Sequence, residues 1–440
     1  MSVYPPVKVG LLGLGTVGGG VTRVLARNAG EISRRAGREI VITHAAAHNL
    51  DTTTANISGI KLTSQALEVV DDPDVSIVVE LMGGYEPART LALRALANGK
   101  HVVTANKALI ARHGNEIFTA ASAAGMMVGF EAAVAGGIPI IKAIREGLAG
   151  NRIEWVAGII NGTANFILSE MRGKGRDFPE VLAEAQALGY AEADPTLDIE
   201  GIDAAHKLTI LASIAFGIPL QFDKVYVEGI SRITRDDVAY ATKLGYRIKH
   251  LGIARRDENG VQLRVHPTLI PQRQLLASVN GVMNAVLVKG DAVGQSLFYG
   301  AGAGAEPTAS AVVADIIDVV RTLTADPENR VPHLAFQPDA LSELPVLSMD
   351  EVETACYLRL QALDRPGVLA DITRILAECS ISIEALMQKE APPSASIVPI
   401  VLLINRVREQ RMNEAIAAIE ALDSICAPVM RIRLEYLESD

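Results

Sequence analysis

Apolar and polar positions alternate in two different rhythms along this 440-residue chain. Up to about residue 140, short apolar runs are followed by stretches of helical period. Val7–Leu12, Ile40–Ala47, Asp74–Leu81, His101–Val103 and Met126–Glu131 predict strands. The segment after Gly18 and the run Glu86–Asn98, closed by Gly99, predict helices. Strands that alternate with helices predict a doubly wound α/β domain with a parallel sheet. After residue 150 the rhythm changes. Arg152–Ile160 predicts a strand, a helix is expected from Phe166, and Pro179–Leu188 predicts another. A helix is then expected after Pro195, with Thr196 or Asp198 as its N-cap. Short alternating runs from Val225 to Val288 predict an α+β domain with a mixed sheet. Thr324–Asp350 is rich in proline and acid and lacks periodicity, as a linker would. The last stretch reads Thr354–Ala362 strand, Val368–Glu378 helix, Ile381–Gln388 strand, a Pro/Ser turn, Ile397–Ile404 strand, Glu409–Leu422 helix and Pro428–Leu434 strand. That order is βαββαβ, the ferredoxin-like pattern.

Composition narrows the function classes. Apolar residues make up 49% of the chain and aromatics 4%, with a single Trp. A base-stacking nucleic-acid surface is not expected, and a net charge of −10 argues against polyanion partners. Three cysteines, all at or beyond Cys356, fit a reducing compartment and leave no cysteine nucleophile earlier in the chain. They fall among the predicted elements of the tail and are expected to be core residues. Met1–Pro6 lacks the basic and apolar regions of a signal peptide, and no apolar run reaches membrane-spanning length, so a cytoplasmic location is expected.

The chemistry concentrates in three places. Gly13-Leu14-Gly15-Thr16-Val17-Gly18 is a G-x-G-x-x-G turn with a strand before it and a helix after it, the setting that binds a dinucleotide pyrophosphate. The second strand runs on to His48-Asn49, without the acidic residue of strict NAD binding or an arginine for a 2′-phosphate. NADPH is expected, with NADH as the alternative. Lys107 follows Thr104 at the carboxyl end of a parallel strand, where open α/β sheets bind ligands. The third place is Gly189–Lys207, with five carboxylates (Glu192, Asp194, Asp198, Glu200, Asp203) and then a lysine. Asp203 and Lys207 share a helix face, and the helix is apolar nearly all round, which implies burial. A salt bridge of that spacing is commonly solvated and of little consequence. Here, strand-end Lys107 and the dinucleotide turn weigh toward a catalytic pair. A second glycine-rich loop, Gly300–Thr308, precedes a helix expected from Ser310 to Val320 and is expected to act as a backbone lid on the cofactor or substrate.

These motifs together resemble homoserine dehydrogenase of the long, single-activity form. The matching stretches are Gly13–Gly18, Glu80–Gly84, Thr104–Lys107, Glu131–Pro139, Asn161–Asn165, Gly189–Lys207 and Tyr299–Ser310. The tail around Leu363–Leu369 resembles an ACT domain. The resemblance implies a Rossmann-type domain over 1–140 completed by 300–322, a catalytic and dimerisation domain over 141–299, a linker over 323–350 and an ACT-like regulatory domain over 351–440. It implies interconversion of L-aspartate 4-semialdehyde and L-homoserine, on the route to threonine and methionine. Lys207 is the implied acid/base, assisted by Lys107. Glu192, Asp203, Asp198, Thr163 and Tyr190 are implied in substrate binding. Gly13, Leu14, Gly15, Thr16, Val17, Gly18, Thr104, Lys107, Gly189, Gly302 and Glu306 are implied around the cofactor. Glu131 and the carbonyls of Val134, Gly136 and Ile138 are implied ligands of a monovalent cation, sodium in family members. A homodimer or homotetramer is implied, with threonine as effector of the tail, no nucleic acid and no membrane. Aspartate-semialdehyde dehydrogenase shares the pathway but needs a thiol, which this part of the chain lacks. A Rossmann-like amino-acid sensor without catalysis is the other alternative.

Overall fold

The computed structural model describes residues 4–48, 57–327, 330–388 and 396–437. Asn49, the Pro/Ser turn before Ile397 and the first three residues lie outside them. The chain divides into two compact units, each drawn from three segments.

The first unit comprises 1–162, 203–225 and 282–344. Its sheet is wholly parallel, in the order Lys61–Thr63, Ile40–Ala46, Val7–Leu12, Ile77–Glu80, His101–Thr104, Val128–Gly129. Strand Val7–Leu12 sits in the middle, and the chain winds outward from it in both directions. The carboxyl ends beside it therefore form the crevice in which such sheets take ligands. Leu11, Ile77 and Val79 pack with Val21, Ala309, Val312 and Ile316 in one core. Helix Thr16–Arg27 and helix Ala305–Thr322 thus share one layer on the sheet. The unit also holds an antiparallel trio, Ile153–Ile159, Met283–Gly290 and Gly294–Ala301.

The strand expected over Met126–Glu131 is only Val128–Gly129. Glu131 begins a 3-10 turn instead, because its N–H is captured by the Asp315 carboxylate at 2.8 Å. Further on, a short helical turn, Ile140–Lys142, runs into a π-type turn, Ala143–Gly147.

The second unit comprises 163–202, 226–281 and 345–440. Its strands run Tyr246–Arg256, Val261–Pro271, Met430–Leu434, Glu353–Leu363, Ile397–Arg408, Ile383–Gln388. The last four carry the ferredoxin-like order, with helices Val368–Glu378 and Glu409–Glu420. The terminal strand Met430–Leu434 also pairs in parallel with Val261–Pro271. The ACT-like fold is therefore stitched into a larger sheet by main-chain hydrogen bonds. Arg433, buried within this sheet, is held by Glu409 at 2.8 Å and Glu228 at 2.7 Å. Of the cysteines, Cys356 is buried as expected, whereas Cys379 caps a helix and Cys426 is exposed.

The helix expected after Pro195 is two helices. Thr196–Ile199 is a single turn, and Ile202–Phe216 follows. Gly201, at φ +82°, separates them, and a Cβ there would lie 2.9 Å from the His250 ring. No side chain caps the first turn at its N-cap, Pro195. Asp194 instead accepts from the Thr196 N–H at 3.1 Å. The helix expected from Phe166 starts earlier and spans Gly162–Lys174.

Candidate active site

The dinucleotide turn follows from local constraints. Gly13 sits at φ +105°, and a Cβ there would come within 2.8 Å of the Leu81 carbonyl. At Gly18 it would strike the Gly13 carbonyl at 2.2 Å, so the helix can start only this close to the strand with glycine. Above Gly15 nothing lies within 4 Å. That opening faces the first turn of helix Thr16–Arg27, whose leading N–H groups have no intrahelical partner and favour an anion. Leu14 is buried beneath the turn, and Val17 packs against the same core. A pyrophosphate fits this cradle.

Two residues outside the sequence assignment brace the neighbouring loops. Glu80, fully buried, accepts from the N–H of Met82 at 2.7 Å and of Gly83 at 3.3 Å, and from the Thr104 hydroxyl at 2.6 Å. Asn106 accepts from the Leu109 N–H at 3.1 Å, capping helix Lys107–Ala124, while its amide donates to the Gly84 carbonyl at 2.7 Å. The signal for both was present: an acid ending an apolar strand, and an Asn one residue before a helix.

Lys107, first residue of that helix, reaches Asp203 Oδ1 at 2.9 Å. Lys207 Nζ donates to Asp203 Oδ2 at 2.7 Å and to the Ile160 carbonyl at 2.8 Å. Asn161 Nδ2 donates to the same Oδ2 at 2.9 Å. One carboxylate thus aims two ammonium groups and an amide. The lysines differ in access: the Lys207 side chain is 11% exposed and that of Lys107 is 43%. Burial acts to raise the Asp203 carboxyl, but Lys207 and Lys107 outweigh it and hold it well below the usual carboxylate range. Asp203 is therefore ionised at any working pH. His206 packs on the Phe222 ring at 4.3 Å and lies 3.4 Å from the Tyr85 hydroxyl. Burial pushes its imidazole down to about 4, so it is neutral.

Glu131 is buried and accepts from the N–H groups of Ile141 and Lys142, each at 2.8 Å. Burial raises its carboxyl. Asp315, missed in the sequence, faces it from helix Ala305–Thr322. Burial first, and then the charge of Glu131, push Asp315 up to about 8. The loop beside them carries Ala135 at φ +54° and Gly136 at φ +47°. Gly137 N–H donates to the Ala301 carbonyl at 2.9 Å, which docks the second glycine-rich loop, Gly302 included, on this one. The Ile138 carbonyl accepts from Ile140 N–H at 2.8 Å. Two buried carboxyls beside a loop of carbonyls make a hard-oxygen, electronegative setting that suits an alkali cation. Among the described residues, no cluster of three or more His, Cys, Asp or Glu is arranged for a metal. Glu306 is exposed and engaged by Arg27 through two hydrogen bonds, at 3.0 and 2.9 Å.

The remaining candidates lie in the second unit. The Thr163 hydroxyl donates to the Tyr190 carbonyl at 2.6 Å, and Tyr190 meets Phe166 edge-on at 5.1 Å. Gly189 ends helix Phe178–Ala187 at φ +73°. Gln186 Nε2 donates to the Glu192 main-chain carbonyl at 3.1 Å, and Glu192 is exposed. Asp198 is half-buried.

Residues 13–131 match the family model "Homoserine dehydrogenase, NAD binding domain", 139–317 match "Homoserine dehydrogenase" and 357–422 match "ACT domain". The chain is 66% identical over 432 residues to homoserine dehydrogenase of Pseudomonas aeruginosa, covering 98% of this chain and 99% of that one. Identity to the Neisseria gonorrhoeae homoserine dehydrogenase is 56%, over 98% of this chain and 99% of the relative. The crystal structure of a homoserine dehydrogenase from Thiobacillus denitrificans superposes with a TM-score of 0.94 at 68% identity, covering 98% of this chain and 99% of that one. A hyperthermophilic archaeal homoserine dehydrogenase in complex with NADPH superposes at 0.61 with 26% identity, covering 71% of this chain and 97% of that one. With its dinucleotide turn, its paired lysines and matches of this extent, the chain belongs to the homoserine dehydrogenase family of NAD(P)-dependent oxidoreductases.

Proposed function

We propose that this chain interconverts L-aspartate 4-semialdehyde and L-homoserine, with Lys207 as the proton donor to the carbonyl oxygen. The observation that carries it is the Lys207–Asp203–Lys107 arrangement, in which Asp203 and Lys207 are buried. Reduction of an aldehyde puts negative charge on its oxygen, and a positioned ammonium lowers that barrier. The nicotinamide, when bound, supplies the hydride. Lys207 delivers a proton from Nζ as the oxygen gains charge, and Asp203 holds that amine in place. Asp203 stays ionised and does not give up a proton itself. Lys107, the more exposed amine on the same carboxylate, assists and stands at the cofactor side. Glu192 and Asp198 are proposed to take the substrate's amino group, with Thr163 and Tyr190 beside its carboxylate.

NADPH is the proposed cofactor and NADH the alternative. Gly13–Gly18, Thr104, Gly189, Gly302 and Glu306 would line it. The bound NADPH of the archaeal relative supports a nicotinamide dinucleotide here. Sodium is the proposed cation at Glu131 and the carbonyls of Val134, Gly136 and Ile138, supported by the buried carboxyl pair beside them. The ACT-like tail is proposed to sense threonine as an end product. A homodimer or homotetramer is proposed, supported by the half-exposed edge strand Gly294–Ala301 with its exposed Tyr299.

The test is NADPH consumption by the purified chain given L-aspartate 4-semialdehyde. Turnover is expected. Tight NADPH binding with no consumption would favour the non-catalytic sensor instead.

A further inference from the structure

One group of cations in the second unit stands without counter-charge. Lys249, on strand Tyr246–Arg256, is 1% exposed. Its ammonium donates to the Val279 carbonyl, to Asn165 Oδ1 at 3.2 Å and to Asn280 Oδ1 at 3.3 Å. These three acceptors occupy all three of its N–H groups, and none is a carboxylate. Arg172, near the end of helix Gly162–Lys174, donates to the same Asn280 oxygen at 3.0 Å. One amide oxygen thus draws two cationic head groups together. Asn280 is held in that pose from its other end, where Nδ2 donates to the Ser278 carbonyl at 3.0 Å. Arg247 lies two residues before Lys249, on the same face of the strand, and its guanidinium donates to the Tyr246 carbonyl at 3.0 Å. Both arginines are half-buried. Among the described residues, none of the three cations forms an ion pair. Burial first, and then the charges of Arg172 and Arg247, push the Lys249 ammonium down to about 7. Burial and Arg247 push the Arg172 guanidinium down as well. The three cations act on one another, and no carboxylate offsets them.

Buried charge is costly unless an opposite charge stands beside it. Neighbouring parts of the unit keep that rule. Arg359 has Asp237 at 2.6 Å, and Arg433 has Glu409 at 2.8 Å. Arg176, four residues beyond Arg172, lies against Glu170 and Glu184. The Lys249 group departs from it in a chain of net charge −10, where acids are in surplus. The missing counter-charge is one that the solution can supply. Guanidinium groups offer paired N–H donors that match phosphate oxygens, and a third cation behind them favours a doubly charged ion over a single carboxylate. The overall negative charge disfavours a nucleic acid as its source. The seat is also preformed. Asn165 Nδ2 donates to the Gly281 carbonyl at 3.0 Å, and the Gly281 N–H donates to Ser169 Oγ at 3.3 Å. Helix Gly162–Lys174 and the segment from Ser278 to Gly281 are therefore clamped together before any ligand arrives, which lowers the cost of binding.

We propose that Arg172 and Arg247, backed by Lys249, form a binding site for a phosphate-class dianion, either free phosphate or the phosphate group of a small metabolite. Lys249 keeps its three acceptors and contributes charge, while the guanidiniums contribute the hydrogen bonds. The site is separate from the proposed dehydrogenase chemistry and does not depend on it.

The experiment is calorimetric titration of the full chain with potassium phosphate and with glycerol 3-phosphate. Potassium chloride keeps the ionic strength equal, and saturating NADP+ fills the Gly13–Gly18 cradle. Three variants are compared. Arg172→Gln and Arg247→Gln each remove one cation of the group, and Arg176→Gln removes the same charge from an arginine that already has carboxylates. At least one of the two probes is expected to bind the unaltered chain. Arg172→Gln and Arg247→Gln should each bind it about ten-fold more weakly or worse, the size of a lost charge-assisted hydrogen bond. Arg176→Gln should bind as the unaltered chain does. Tighter binding of phosphate assigns the site to the free ion, and tighter binding of glycerol 3-phosphate assigns it to a metabolite. No binding of either probe to the unaltered chain would overturn the proposal. So would unchanged affinity in both Arg172→Gln and Arg247→Gln, or an equal loss in Arg176→Gln, which would mark a general effect of charge.

Discussion

Asp203 and Asp315 are the same residue type, both buried in the same unit, and their carboxyls are shifted in opposite directions. Asp203 has an ammonium at 2.9 Å on one oxygen and another at 2.7 Å on the other, and it is held ionised. Asp315 faces another carboxylate and a backbone N–H, and it is pushed up to about 8. Burial alone opposes ionisation at both places. The partners decide the outcome. At Asp203 they make a fixed negative charge that orients two proton-bearing amines, which is what proton transfer to an aldehyde needs. At Asp315 they make a site that holds a proton or lies beside a cation, next to the loop proposed for sodium.

The largest effect should come from removing the charge at Asp203. Asp203→Asn leaves Lys207 and Lys107 facing each other without an anion. Turnover is expected to fall by about two orders of magnitude or more, in line with losing an electrostatic organiser of the site. Breaking a buried pair from one side costs about 3–5 kcal/mol, so thermal stability at pH 7 should fall as well. Steady-state kinetics and thermal melts check both; wild-type values in each would erase the difference between the two aspartates.

Next comes Asp315, where the sign reverses. Its folded pKa is raised above 3.8, so its contribution to stability is complete below pH 3.8 and is lost as pH rises through about 8. Asp315→Asn keeps an acceptor for the Glu131 N–H and removes the titration. Denaturant unfolding in buffer free of alkali cations should show the unaltered protein losing stability from pH 6 to 9, and the variant losing less, with a gap of a few kcal/mol at most. Parallel curves would mean that Asp315 does not hold its proton.

The smallest effect belongs to buried imidazoles. His101 and His206 are pushed down to about 4 by burial. Depressed pKa values give stability that is present above pH 6.5 and is lost as pH falls toward 4. The free energy of unfolding, from denaturant titration, should drop across that window. His101→Gln, which retains an acceptor for the Met127 N–H now bound at 2.9 Å, should drop less, by on the order of 1 kcal/mol at pH 5. An equal drop would place the titration elsewhere.

How much was legible in the sequence depends on the range of the cause. The G-x-G-x-x-G turn was readable because strand, glycines and helix are contiguous. Asp203 and Lys207 were readable because four residues is one helical turn, and the apolar residues around them announced burial. Helix Val368–Glu378 was read to the residue from local periodicity alone. The misreadings have distant causes. Strand Met126–Glu131 stops short because Asp315, 184 residues away, captures the Glu131 N–H. The helix after Pro195 breaks at Gly201 because His250 and Val265 crowd it from other strands. Asp194 and Glu200 had no assigned role: one proves to be a local turn acceptor and the other lines a cavity with residues more than 200 positions later. The pairing of Met430–Leu434 with Val261–Pro271 left no mark on local pattern, since either strand reads the same without its partner.

The central claim is that Lys207 gives the proton. Its most direct test is the turnover of Lys207→Ala with L-aspartate 4-semialdehyde, measured alongside NADPH affinity by fluorescence titration. Turnover should fall by roughly three orders of magnitude or more, within and beyond the range usual for a lost general acid, while NADPH affinity stays within a few-fold. Turnover within ten-fold of the unaltered enzyme would contradict it and shift the proton to Lys107 or water.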